Sequence, residues 1–307
     1  MNPYHSLRAY SFFILLALVW SLSFIAIRFS VDAFPPIFGA MLRVGLALLS
    51  LTIMFLFLKA RLYVPFKTAV RLWVLGIIAQ GMAFAFLFWG EQYIAPALAS
   101  IINATVPLWV LLINGLILRE KGAFGLKKIL GLGLGFGGIL TIFAPMIVVD
   151  ESIMTLLGVL AVCGMALSYA AGAVLYQKFF SDGNQAGFHA SVWHQHFGSF
   201  AFLLLVSLCF EPIPRISSVT SLALFSIVYL GIFSTALAWM MYNYLITEWG
   251  AIRAVSVMYI VPVLAIIWDD LWLHLPIETY QIFGVLFILA GVLFVQKPDP
   301  KDIAIKE

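Results

Sequence analysis

Residues Ala95–Glu120, APALASIINATVPLWVLLINGLILRE, carry no charge before their last two positions. Wound as a helix at about 1.5 Å per residue, such a run crosses the ~30 Å hydrocarbon layer of a bilayer. The run has an echo at Gly250–Leu275, GAIRAVSVMYIVPVLAIIWDDLWLHL. At a constant offset of 155, Pro107 falls on Pro262, Ala99 on Ala254 and Leu116 on Leu271. The glycines that follow repeat as well: Gly131 and Gly138 are seven apart, as are Gly284 and Gly291. A hairpin that occurs twice predicts a chain of two related halves.

Composition identifies the solvent. Of 307 residues, 64% are hydrophobic and 10% charged, with a mean hydropathy of +1.07. A soluble domain carries about 25% charged residues, and no soluble core could hide so much apolar surface. The formal charge of +3 offers no basic footprint for nucleic acid. Cys163 and Cys209 both lie in apolar runs and read as packing residues. The first run, from about Ser11 to Val31, is too long for a signal peptide and has no A-x-A cleavage pattern.

Ten spans follow, at approximately 11–31, 37–58, 72–92, 96–118, 127–147, 155–177, 189–209, 221–245, 252–273 and 277–296. All read as helices, because backbone exposed to lipid must satisfy its own hydrogen bonds. Runs such as LLSLTIMFLFL lack the alternation of a barrel strand. With both ends on one side, that side collects 14 of the 17 Lys and Arg residues, from Arg8 through Lys59, Arg61, Lys121 and Lys128 to Lys306. The positive-inside rule then places both termini in the cytoplasm. The opposite loops carry Arg28 and Arg215 with Asp32, Glu91, Asp150, Glu151, Glu211 and Glu278. Five spans per half is an odd number, so the second half inserts upside down. The expected architecture is an all-α membrane protein, a 5+5 inverted-topology repeat of halves 1–147 and 148–297 with a cytoplasmic tail at 298–307.

Polar residues inside spans are costly and mark function or pairing. Arg43 is the costliest, and either faces the interior or snorkels. Asn103 and Thr105 precede Pro107, which frees a carbonyl about one turn back. Ser256 and Tyr259 stand in the same relation to Pro262. A polar ligand site near the midplane and plain interhelical hydrogen bonding both fit. Trp20 and Tyr169 hold matching places in the first helix of each half and are expected to face a central cavity. Trp89, Tyr242 and Asn243 are further candidates, as is Gln195, which falls near Arg43 when the halves are overlaid. His194 and His196 point about 160° apart on a helix, so no metal site is expected. His194 suits proton coupling, because histidine titrates near neutral pH. Asp269 and Asp270 suit a gate, a cation-attracting mouth or a proton site.

Gly133-x-Gly135-x-x-Gly138 spells a dinucleotide fingerprint but has no strand before it. Gly131, Gly133, Gly135 and Gly137 form small-x-x-x-small pairs and predict close helix packing. Neither a P-loop nor an H-E-x-x-H or Ser-His-Asp set is visible, so no ATP, cofactor or catalytic metal is expected.

The order of these motifs resembles the drug/metabolite transporter superfamily, and within it the EamA family. ALVWSLSFIAIRF is similar to that family's first helix, and Ala95–Glu120, with its T-x-P-L and L-x-x-E, to its fourth. GLGLGFGGILTIF is similar to the glycine-rich helix that closes each repeat, and Arg43 sits where the family often has an arginine. At the position matching Glu120 this chain departs, with Leu275 preceded by His274. The resemblance implies a secondary transporter of a small organic metabolite in the bacterial cytoplasmic membrane. Export of amino acids or related metabolites is the commonest expectation for such relatives, while the inverted halves suit alternating access; membrane lipid is an expected partner, and His194 adds a coupled proton. An intramembrane enzyme acting on a lipid or isoprenoid is the alternative, and a scaffold without substrate a third.

Overall fold

The computed structural model describes residues 3–118, 125–143, 152–181, 186–212, 219–273 and 279–296. Every regular element among them is helical. In chain order the rods are α1 (Leu7–Val31), α2 (Pro36–Phe57), α3 (Phe66–Gly90) and α4 (Leu98–Ile117). Then come α5 (Leu126–Phe143), α6 (Ile153–Phe180), α7 (Phe188–Phe210) and α8 (Ser221–Trp249). Last are α9 (Ala251–Val255, resuming as Val257–Leu273) and α10 (Thr279–Gln296). Among the described residues seven of these, α1–α4 and α6–α8, are long and apolar enough to cross a membrane.

The surface is inverted relative to a soluble protein. Leu49, Ile53 and Leu56 of α2, Leu205 and Leu208 of α7, and Ile282, Phe283 and Leu286 of α10 stand exposed. Arg43, Gln80, Glu91, Asn103, Gln195, His196 and Asn243 are buried. Apolar patches of that size would aggregate in water, whereas in lipid they are the surface that costs least.

Glycine sets the closest approaches. A Cβ on Gly131 would lie 2.9 Å from the Gly291 carbonyl, and one on Gly138 would lie 2.5 Å from the Gly284 carbonyl. These pairs cross: the first glycine of α5 meets the second of α10, and the reverse. The expected packing role therefore holds for Gly131 and Gly135 and fails for Gly133 and Gly137, and the two helices run antiparallel. Gly135 seats the Tyr259 ring, while Gly133 and Gly137 face open space. A second pair of contacts repeats the pattern. Gly76 of α3 lies against the Gln195 backbone of α7, as Gly231 of α8 lies against the Arg43 carbonyl of α2.

Breaks in the rods have local causes. α4 is interrupted at Ala104–Thr105, and Pro107 is the second residue of the helix that resumes at Val106. At the break the Ile102 carbonyl accepts from the Thr105 N–H at 3.0 Å and from the Thr105 hydroxyl at 2.7 Å. α9 breaks at Ser256, whose hydroxyl likewise donates to the Arg253 carbonyl at 2.7 Å. Pro262 lies inside the continuing helix, so the interruption precedes it by more than a turn. α3 and α8 each widen into a π turn at mid-length, Ile77–Met82 and Ile232–Leu237. These two turns stand at the same offset of 155 that links Pro107 to Pro262.

Candidate functional site

The π turn of α8 is the hub of the interior. A π turn displaces carbonyls from the α-helical ladder and leaves them open to lateral donors. The Ser234 carbonyl accepts from the Trp20 indole Nε1 at 3.1 Å and from Arg43 Nη2 at 3.3 Å. The Ser234 hydroxyl accepts from Arg43 Nη2 at 3.1 Å and is hydrogen-bonded to the Ser23 hydroxyl. Thr235 Oγ1 accepts from Arg43 Nε at 2.6 Å. Two adjacent polar residues of α8 thus hold side chains of α1 and α2. The Arg43 guanidinium also lies 4.0 Å above the Phe84 ring centroid, a cation–π contact.

Arg43 is only 2% exposed, which decides against snorkelling. Its partners are hydroxyls, a carbonyl and a ring, none of them anionic. The ion pair found among the described residues is elsewhere, between Arg28 and Asp32 at 3.6 Å. A buried cation with no acid bonded to it gives up several kcal/mol of solvation, and hydroxyls return only part of it.

Beside the guanidinium lies a cavity of about 30 Å³, room for about two waters. Trp20, Ser23, Phe24 and Ile27 of α1, Arg43 of α2, Leu87 of α3 and Asn103 of α4 line it. Tyr169 of α6 and Met258 of α9 complete the wall. Asn103 and Met258 are themselves 155 apart, so the same place in both hairpins meets at the cavity. Asn103 Nδ2 donates to the Met258 sulfur at 3.1 Å, and Asn103 Oδ1 is buried without a partner. Four residues singled out in the sequence, Trp20, Arg43, Asn103 and Tyr169, therefore converge on one cavity.

Others lie elsewhere. Tyr242 stands behind Trp20, with ring centroids 5.3 Å apart. Trp89 packs on Tyr93 near the far end of α3. Thr105 and Ser256 serve the helix breaks, and the Tyr259 hydroxyl donates to the Leu132 carbonyl at 3.2 Å. Gln195 donates through Nε2 to the Ser191 carbonyl at 3.1 Å, and Asn243 is buried with neither side-chain atom bonded. His194 does not reach the cavity: Nδ1 accepts from the Trp73 indole at 3.0 Å, and Nε2 faces the Leu62 carbonyl at 3.1 Å. The side chains of Asp269 and Asp270 lie outside the described ones. Among the described residues no three His, Cys, Asp or Glu side chains gather as a metal site. The expected match of Trp20 with Tyr169 shifts by three residues. Trp20 touches the α8 π turn at Ser234, and the residue that touches the equivalent Ala79 of the α3 π turn is Gly172.

Ser23, Phe84, Met258 and the Ser234–Thr235 pair were not picked out by sequence. Two adjacent hydroxyls in the middle of an apolar run were the available signal for the last. Nor did the sequence mark a wider group of buried polar side chains as site residues. Gln80, Glu91, His196 and Ser199 each keep at least one polar atom without a partner.

A model of the EamA-like transporter family matches residues 7–144 and again 156–296. The uncharacterized transporter YoaV of Bacillus subtilis is 27% identical over 277 residues, covering 90% of this chain and 92% of that protein. PagO of Salmonella typhimurium is 25% identical, covering 91% and 90%. A solved structure described only as a crystal structure of a protein superposes with a TM-score of 0.75 at 18% identity, over 93% of this chain and 95% of that one. At that identity the likeness is one of fold.

Proposed function

The chain belongs to the EamA-like transporter family, a multi-pass membrane transporter, and from that premise we propose how it is built and what it moves. Ten helices cross the membrane as two five-helix halves, 1–147 and 148–297, inserted with opposite topology and with both termini in the cytoplasm. A small organic metabolite, an amino acid or a relative of one, leaves the cell by alternating exposure of the central cavity. The membrane is the bacterial cytoplasmic membrane.

The observation that carries this reading is the meeting of equivalent positions, Asn103 and Met258, at a cavity lined from both halves. Antiparallel crossing of α5 and α10 at matched glycines supports opposite insertion, since equivalent helices of a same-sense repeat would run parallel. Symmetry of this kind lets one packing open to either side by exchanging the conformations of its halves. For a coupled proton, His196, whose buried Nε2 has no partner, and Glu91, whose buried carboxyl oxygens have none, are better placed than His194, whose ring nitrogens are both engaged. Asp269 and Asp270 remain gate candidates by their place in α9.

The test is flux in sealed liposomes. Trp20→Ala and Asn103→Leu are expected to lower solute movement at unchanged membrane abundance. Normal flux in both variants would remove the site assignment. Appearance of a chemically altered product, in place of solute crossing intact, would favour the enzyme.

A further inference from the structure

The cavity joins two groups that a ligand would satisfy. Arg43 is a buried cation bonded only to neutral partners, and Asn103 Oδ1 is a buried acceptor with no donor. Both line the same small space. Glu91 is fully buried and neither of its carboxyl oxygens meets a donor, so it is not a bonded counter-ion of Arg43.

We propose that Arg43 is an anion-recognition group: the transported solute carries a carboxylate that pairs with the guanidinium. A donor group of the solute meets Asn103 Oδ1, and its body lies against Trp20, Phe24 and Tyr169. As a statement about substrate, this rests on the transport reading above.

Charge and size select the carboxylate. One guanidinium balances one negative charge, and its planar fork matches a carboxylate in two parallel hydrogen bonds. About 30 Å³ admits such a head group and no metabolite body, so the solute binds only as the walls part. The same donors explain how binding and parting are linked. Arg43 Nε and Nη2 now hold α2 to the α8 π turn through Thr235 and Ser234. A carboxylate competes for those donors and releases α2 from α8, which belong to different halves. Anion binding thereby loosens a contact across the repeat.

The probe is sodium formate, a carboxylate without a body. Purified full-length protein in detergent is melted in formate, in sodium chloride of equal ionic strength, and in formamide, the neutral analogue. The expected result is a saturable rise in melting temperature with formate alone, absent in Arg43→Gln and kept in Glu91→Gln. Arg43→Lys, which retains the charge, is expected to keep a weakened response and covers the case in which Arg43→Gln fails to fold. Equal responses to formate and chloride, or an undiminished response in Arg43→Gln, would overturn the proposal. So would a formate response confined to Glu91→Gln, since Glu91 would then be the internal counter-charge. Inorganic phosphate is the second arm: stabilisation by phosphate and not formate would overturn the carboxylate assignment. Liposome flux separates the two readings. Neutral solutes moved equally well by wild type and Arg43→Gln would sink the anion inference and leave transport standing. No flux for any solute, with formate still acting through Arg43, would sink transport and leave an anion site.

Discussion

Gly133 and Gly138 are the same residue on the same helix, and alanine should act on them in opposite directions. At Gly138 the new Cβ would sit 2.5 Å from the Gly284 carbonyl oxygen and 2.9 Å from the Ile288 nitrogen, where ordinary contact begins at 3.4 Å. Both obstacles are backbone, so relief requires α10 to retreat by about 1 Å. Overpacking of this kind costs about 1–3 kcal/mol. Clashes with backbone belong in the upper half of that range. Better helix propensity returns at most ~1 kcal/mol, leaving a net loss on the order of 1–2 kcal/mol. At Gly133 nothing lies within 4 Å of the added carbon, so only the propensity gain of up to ~1 kcal/mol remains. Reversible unfolding in mixed bicelles, followed by tryptophan fluorescence, reads both variants. A shift of the same sign and size at the two positions would refute the crossing of α5 and α10.

Gln177→Leu removes the acceptor that its Oε1 offers to the Ala251 N–H at the start of α9, at 2.5 Å. The expected cost is about 1 kcal/mol, read as faster amide exchange in residues 251–254, and unchanged exchange there would discount the cap. Reporter fusions at the amino and carboxyl ends should both register in the cytoplasm. Reporters on opposite faces would mean an odd number of spans and end the inverted-repeat account.

The all-helical membrane fold and its two related halves were legible because the membrane imposes simple rules. Charge-free runs long enough to span and glycines recurring at a fixed spacing are properties of composition and order. Arg43, Trp20, Asn103 and Tyr169 were legible as interior residues, and they line the cavity, because large or polar groups inside apolar runs must find an interior. The π turns were not. IIAQGM and IFSTAL share no residue signature, and only packing decides that each widens by one residue. His194 and His196 differ by two places, and helix phase alone puts one against the Leu62 carbonyl and the other in the core. Pro262 matched Pro107 in sequence, yet α4 breaks directly before its proline while α9 breaks at Ser256, more than a turn ahead of Pro262. Glu91 read as a loop residue because it lies just past the apolar run, and its burial comes from the helices folded around it.

Alternating exposure of the cavity is tested most directly by a thiol placed in its wall. Ser23→Cys, in a background where Cys163 and Cys209 are replaced by alanine, leaves one reactive group at the site. A membrane-impermeant thiol reagent is then applied to sealed vesicles from the outer face alone and from the cytoplasmic face alone. Modification from either face is the result predicted here, and modification from one face only would contradict it.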